Sequence, residues 1–252
     1  MSRMFPFITK TCNPMAGGSY NTPDGKIVAC PYECTYCWAR KLINKNKTDK
    51  SALRRKYVGP YRVEPKELKR IFKPEDFVFV QDMSDIGAPM IEKWVIFDIL
   101  SWVGSQPCPM LLLTKNPAFY NKYINYLPLN AVLGATIESD LPGVRRFSKS
   151  PPPEDRLNEM VRLHLRLLGL GRPRRLFVSV EPIMEFSENF VDELRKIKPW
   201  SIAVGYDNYN NGLPEPSLAE TEALITGLSE FSVVYRKTIR ESTSSKGERK
   251  DG

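Results

Sequence analysis

Three cysteines fall in one short stretch, Cys30-Pro-Tyr-Glu-Cys34-Thr-Tyr-Cys37-Trp-Ala-Arg40, directly after the apolar run Ile27-Val28-Ala29. Three thiolates at this spacing can hold three corners of a metal site. A closed structural zinc site takes four protein ligands, drawn from two paired clusters. The sequence has no second pair: Cys12 and Cys108 stand alone, and the single histidine, His164, lies far downstream among leucines and arginines. Three cysteines without a fourth partner suit an iron-sulfur cubane whose fourth iron stays open to a small ligand, because thiolates are the usual cluster ligands. A zinc site and plain structural thiols are the alternatives. Cys12 and Cys108 read as buried, inert thiols, with Cys12, ahead of the cysteine loop, also a candidate hydrogen-atom donor. His164 reads as structural.

Such a site needs a scaffold, and the chain supplies the pattern of one. Residues 1–25 are a loop-rich lead-in full of turn formers (Asn13-Pro14, Gly17-Gly18, Asn21-Thr22-Pro23-Asp24-Gly25). Lys26 to Ala29 reads as a short buried strand that delivers the cysteine loop. After Pro65 helix and strand patterns alternate, the sign of a parallel sheet with helical crossovers. Strands are expected over 76–80, 110–113, 131–137, 175–180, 201–204 and 231–235, and helices over 66–72, 89–103, 118–126, 154–168, 190–197 and 217–228. In the 154–168 helix Leu157, Val161, His164 and Leu168 are placed near one face. About seven strands, each separated by room for a helix, predict an α/β fold, a partial TIM-like barrel of parallel strands, as one domain over 1–240. The tail 241–252 has no core-forming residues and is expected to be disordered.

In such barrels function gathers where strands end and the loops meet over the mouth. The strand ends here are polar: Gln81, Asp82, Ser84 and Asp85, then Thr114 and Lys115, then Thr136, Glu138 and Ser139, then Ser179 and Glu181, then Asp207 and Asn208. A barrel with a purely structural task does not require hydroxyls, carboxylates and an amine on one rim.

Composition bounds the setting. The 252 residues carry 37 Lys and Arg against 29 Asp and Glu, a net charge of +8, which favours polyanionic partners such as nucleic acid. Much of it sits in residues 40–56 (Arg40, Lys41, Lys45, Lys47, Lys50, Arg54, Arg55, Lys56), which reads either as a solvated face or as a phosphate-contacting patch beside the site. No apolar run reaches the roughly 20 residues of a membrane helix, and the first residues lack the apolar core of a signal peptide. Five cysteines, an odd number with three crowded together, read as reduced metal-binding thiols in a cytoplasmic protein.

The C-x-x-x-C-x-x-C spacing with an aromatic before the last cysteine resembles the radical SAM superfamily. Asn13-Pro14, Cys37-Trp-Ala-Arg40, Met83-Ser-Asp85, Leu113-Thr-Lys115, Gly134-Ala-Thr-Ile-Glu138, Val178-Ser-Val-Glu-Pro182 and Val204-Gly205 resemble its phage- and archaea-associated three-cysteine-motif group, and more distantly the spore photoproduct lyase family. The resemblance implies a (β/α)6 partial barrel. It implies a 4Fe-4S cluster on Cys30, Cys34 and Cys37, with S-adenosylmethionine chelating the open iron. Cleavage to a 5'-deoxyadenosyl radical then abstracts substrate hydrogen, with electrons from a flavodoxin- or ferredoxin-type donor. On the rim, Lys115 would neutralise the cofactor carboxylate and Ser84 or Asp85 would accept from its ammonium. Glu138 or Glu181 would take the ribose hydroxyls, with Thr136 beside them, and Tyr36 and Trp38 would wall the adenine. The substrate implied first is a nucleic acid or nucleotide bound through residues 40–56. The alternatives are a peptide, a small metabolite, or a non-enzymatic iron-sulfur or zinc module that binds nucleic acid. Two departures narrow the reading. Gln81-Asp82-Met83-Ser84-Asp85 replaces the Gly-Gly-Glu signature of many relatives, and Asp82 stands where the lyase family places a hydrogen-donating cysteine. With no second cysteine cluster, sulfur insertion from an auxiliary centre is not implied.

Overall fold

The computed structural model describes residues 5–21, 27–28, 30–45 and 51–243. Seven strands make one sheet: β1 (Lys10–Cys12), β2 (Val78–Val80), β3 (Met110–Thr114), β4 (Ala131–Thr136), β5 (Leu176–Val180), β6 (Ser201–Val204) and β7 (Val233–Arg236). Their spatial order is their chain order and every pairing is parallel. β1 and β7 stay at the two edges, so the sheet curls into a half-barrel. The expected partial TIM-like α/β barrel is the observed one.

The strands have two buried faces, which is why they read as continuous apolar runs. Val78, Val80, Met110, Leu112, Leu133, Val178, Ile202 and Val204 join the large core beneath the helices. Their alternates Phe79, Leu111, Val132, Phe177 and Ala203 point into the barrel, the period of two that a pleated strand imposes. The helices of that outer layer are α4 (Lys93–Gly104), α5 (Ala118–Lys122), α6 (Pro153–Gly169), α7 (Phe190–Lys196) and α8 (Leu218–Ser229). α6 opens with Pro153 at a first-turn position, where the missing N–H costs nothing. Its buried residues include Arg156, Leu157, Met160, Leu163 and Leu167. Val161 and His164 are only partly buried and Leu168 is exposed, so the inward face is turned from the expected one.

The lead-in is where the sequence reading and the structure differ. Residues 10–12 are the first barrel strand, whereas Ile27–Val28 is a two-residue strand pairing antiparallel with Tyr20–Asn21, away from the barrel. Lys26 and Ala29, the ends of the expected strand, lie outside the described residues. Lys10 and Thr11 are exposed and only Cys12 is buried, so β1 lacks the apolar run that marks the other strands. Ahead of it, Phe5 and Phe7 plug the barrel. Phe5 packs edge-on to Phe177 at 4.9 Å, and Phe7 meets Phe77 at 4.9 Å and Tyr235 at 5.0 Å. At the other end Ser242 is buried and Thr243 donates to Glu215, so order runs past the expected boundary at 241. The rest of the expected tail, 244–252, lies outside the described residues. No helix among the described residues is long and apolar enough to cross a membrane.

Candidate functional site

The cysteines sit in the long connection from β1 to β2, which also carries α1 (Trp38–Lys45), α2 (Ala52–Tyr57) and α3 (Pro65–Leu68). Their loop is wound by backbone bonds, Glu33 N–H to the Cys30 carbonyl at 3.1 Å and Cys37 N–H to the Cys34 carbonyl at 3.2 Å. Glu33 takes a positive φ of 46° between them. The Cys37 carbonyl accepts from Lys41 N–H at 3.2 Å, so the third thiol stands at the start of α1. The segment after β4 clamps the other side: Thr35 N–H donates to the Phe147 carbonyl at 2.9 Å, and Ser148 Oγ lies 3.1 Å from Cys34 Sγ. The Tyr32 hydroxyl donates to the Gly87 carbonyl at 2.8 Å and ties the loop to the β2 rim. Burial raises the Cys30 and Cys37 thiols above their ordinary value, with the Asp85 carboxylate adding to the effect at Cys30.

Beneath this loop the rim is cross-braced. Asp85 accepts from Gly87 N–H at 2.8 Å, the Thr114 hydroxyl at 2.5 Å and Lys115 N–H at 2.7 Å, so it binds the ends of β2 and β3 together. Burial raises its pKa against the pull of these donors. The Gln81 amide donates to Ser84 Oγ at 2.6 Å and to the Met15 carbonyl at 3.1 Å. Lys115 pairs with Glu138, donates to the Tyr36 hydroxyl at 3.1 Å and lies 5.1 Å from the Tyr36 ring centre. Glu138 also accepts from Tyr36, and from Arg156 Nη1 at 2.5 Å. Burial alone would raise the Glu138 carboxyl, but Arg156 and Lys115 beside it hold it well below the usual carboxylate range.

The other half of the mouth comes from β5 to β7. Glu181 lies 3.7 Å from Lys237, whose ammonium stands 4.9 Å from the centre of the Phe5 ring. Burial raises Glu181, partly offset by Lys237. Asp207 caps its own loop by accepting from Tyr209 N–H at 3.1 Å and Asn211 N–H at 2.5 Å. Lys41 on α1 meets Asn211 and lies 5.2 Å from the Tyr209 ring centre, joining the cysteine-bearing helix to this wall.

One cavity of about 270 Å³ opens between these halves, with Phe5, Phe79 and Leu113 as apolar lining and all three thiols of the loop in its wall. The fold is the one radical SAM enzymes use. A mutant of spore photoproduct lyase superposes with a TM-score of 0.58 at 10% identity, covering 94% of this chain and 80% of that one. The same lyase complexed with dinucleoside spore photoproduct gives 0.55 at 12%, covering 86% and 78%. Streptococcus suis SuiB bound to S-adenosylmethionine gives 0.55 at 10%, covering 92% of this chain and 51% of that one. No protein-family model and no curated protein matches the sequence.

Of the residues singled out from sequence, Cys30, Cys34, Cys37, Tyr36, Trp38, Ser84, Asp85, Lys115, Thr136 and Glu181 all line the cavity. Two others lie outside the cavity lining. Glu138 is fully buried behind the wall, where its oxygens serve Lys115, Tyr36 and Arg156. Cys12 does not line the cavity; its buried thiol donates to Glu67 at 3.2 Å and is pushed up to about 12 by burial and that carboxylate. Three contributors were not anticipated. Lys237 follows the last strand as Lys115 follows β3, and the strand-end rule applied to β7 would have found it. Arg156 and Phe5 carry no such signal, because their partners come together only in the folded barrel.

Proposed function

We propose that this chain is a radical SAM enzyme, with Cys30, Cys34 and Cys37 holding a 4Fe-4S cluster and the β2 to β5 rim holding S-adenosylmethionine. The observation that carries the reading is that one cavity at the mouth of a half-barrel gathers all three thiols with Lys115 and Ser84. When bound, a reduced cluster would supply the electron for reductive cleavage of the S-adenosylmethionine held at this rim, with a flavodoxin- or ferredoxin-type protein as electron source.

The chain's own residues bind and orient. Lys115 offers a cation to the cofactor carboxylate, and the Ser84 hydroxyl is placed to accept from its ammonium. Asp85 already accepts three donors, which leaves it one site of the roughly four on a carboxylate. Its main work is to hold the backbone of Lys115. Glu181 and Thr136 supply oxygens for the ribose, and Tyr36 and Trp38 an aromatic wall for adenine. The apolar plug of Phe5 and Phe79 excludes water from below. Reduced thiols of this kind suit a cytoplasmic setting.

For the substrate, a nucleic acid or nucleotide is supported by the basic character of residues 40–56, of which Arg40 lines the cavity, and by the dinucleoside bound in the similarly folded lyase. Asp82 in the cavity wall offers no thiol hydrogen, so the reading does not extend to photoproduct repair. A peptide is the second reading, favoured by the similar fold of SuiB bound to precursor peptide SuiA, with a TM-score of 0.54.

Anaerobic reconstitution should load about four irons per chain, and dithionite should then release 5'-deoxyadenosine. Alanine at any of Cys30, Cys34 or Cys37 should abolish both, while Cys108→Ala should leave both intact. Protein that retains zinc and never cleaves S-adenosylmethionine would overturn the reading.

A further inference from the structure

Behind the cavity wall lies a charge arrangement that cofactor contacts alone do not explain. Glu138 is 0% exposed and Arg156 1%, and their contact is an Nη1 to Oε2 bond of 2.5 Å. Arg156 is docked from α6 onto the end of β4: Nη1 also donates to the Thr136 carbonyl at 2.8 Å, and Nε to the Pro151 carbonyl at 2.6 Å. Of the three charged groups only Lys115 lines the cavity. A buried arginine is uncommon and is tolerated where it is paired, as Arg156 is with Glu138.

The charges indicate the use. Lys115 and Glu138 alone would cancel, leaving the lysine with little potential to offer an anion in the cavity. Arg156 adds a second positive charge against that of Glu138, so the trio carries one net positive charge and only its lysine end lines the cavity; the Asp85 carboxylate nearby is taken up by the Gly87, Thr114 and Lys115 donors. Charge in a site walled off from water acts at close range with little screening.

We infer that Arg156 is a positioning residue that sets the charge of the cofactor site, balancing Glu138 so that Lys115 faces the cavity with net positive charge and receives a carboxylate. The inference rests on the radical SAM reading, in which that carboxylate belongs to S-adenosylmethionine. The adenosine part of the cofactor gains nothing from it, which separates this role from general support of the fold.

The test is equilibrium dialysis on the reconstituted full chain with two ligands, S-adenosylmethionine and 5'-methylthioadenosine, the second a neutral thioether that lacks the carboxylate together with the ammonium and keeps only the adenosine part. Arg156→Met should weaken the first on the order of 10–100-fold, as loss of an outer partner does at comparable sites, and leave the second unchanged. Adding Glu138→Gln to Arg156→Met restores the single positive charge and should recover the affinity for S-adenosylmethionine. Equal weakening of both ligands, or a double variant that stays weak, would reduce Arg156 to a strut and overturn the inference. An Arg156→Met protein, in which Glu138 has lost one of its two buried cationic partners, can fail to fold. The double variant then decides alone, its preference for S-adenosylmethionine supporting the inference if kept and overturning it if lost. Wild-type protein that binds no S-adenosylmethionine would sink the enzyme reading and this inference with it, whereas wild-type binding with an insensitive Arg156→Met removes only the inference.

Discussion

At the scale of single residues, the site is built from side chains that hold one another, and its tightest joint is a glycine. A Cβ on Gly87 would stand 2.4 Å from Thr114 Oγ1 and 3.0 Å from the Asn116 carbonyl oxygen. The hydroxyl cannot simply retreat, because it is the donor that Asp85 accepts. Gly205 is tight in a different way: its Cβ would meet Glu181 Oε1 and Lys237 Cβ, each at 2.9 Å, the first the end of a flexible side chain. Gly143 meets only a guanidinium nitrogen at 3.6 Å. Gly87→Ala is therefore expected to cost about 1–3 kcal/mol, the range for overpacked sites. In thermal melts it should fall below Gly205→Ala, with Gly143→Ala indistinguishable from wild type; a Gly87→Ala protein as stable as Gly143→Ala would show that the Asp85 brace is loose. Much of the site was legible at this scale because Lys115, Asp85 and Glu181 follow strands that are themselves easy to read. Glu138 was legible as polar but not in its role, since facing into the barrel or behind its wall depends on which neighbours claim the oxygens, and Arg156 is 18 residues away.

At the scale of elements, six of the seven strands fell where apolar runs between turn signals placed them. β1 did not, because an edge strand of three residues with a single buried side chain has no run to detect. The far edge is secured by a different device. Glu215, 1% exposed, takes both guanidinium nitrogens of Arg240 at 2.9 and 2.7 Å, and Thr243 N–H at 2.8 Å. Burial works against the ionised carboxyl, but these donors outweigh it and keep its pKa below the ordinary 4.5. A carboxyl lowered in the folded state contributes stability that is complete above its unfolded value and is lost as pH falls through the folded one. Glu215→Gln should thus cost roughly 1.5–3 kcal/mol at pH 7, the range for hydrogen bonds to charged groups. Melting curves of the two proteins should converge as the pH drops below 4.5. A gap that stays constant through that window would mean that shape, not charge, holds the segment after β7.

At the scale of the whole molecule, the parallel direction of all seven strands puts their C-terminal ends on one rim, so residues from Cys30 to Lys237 meet in one cavity. The same arrangement puts the start of the basic segment at the mouth, since α1 starts directly after Cys37 and carries cavity-lining Trp38 and Arg40. Within 40–56, Lys56 is committed to Glu67 at 3.2 Å, while Lys41, Lys45 and Arg55 are exposed; residues 46–50 lie outside the described residues. If the substrate is a nucleic acid, each phosphate contact releases counterions, and log affinity falls with log salt by about 0.7 per contact on single strands. Three exposed cations then give a slope of about −2 or steeper, and Lys45→Gln with Arg55→Gln should flatten it by about 1.5. The measurement is a titration of single-stranded oligonucleotide against reconstituted protein over a range of salt. A slope near zero, or one the two substitutions leave unchanged, would detach the net charge of +8 from substrate binding. It would favour the second reading, a peptide substrate, whose binding does not rest on phosphate contacts.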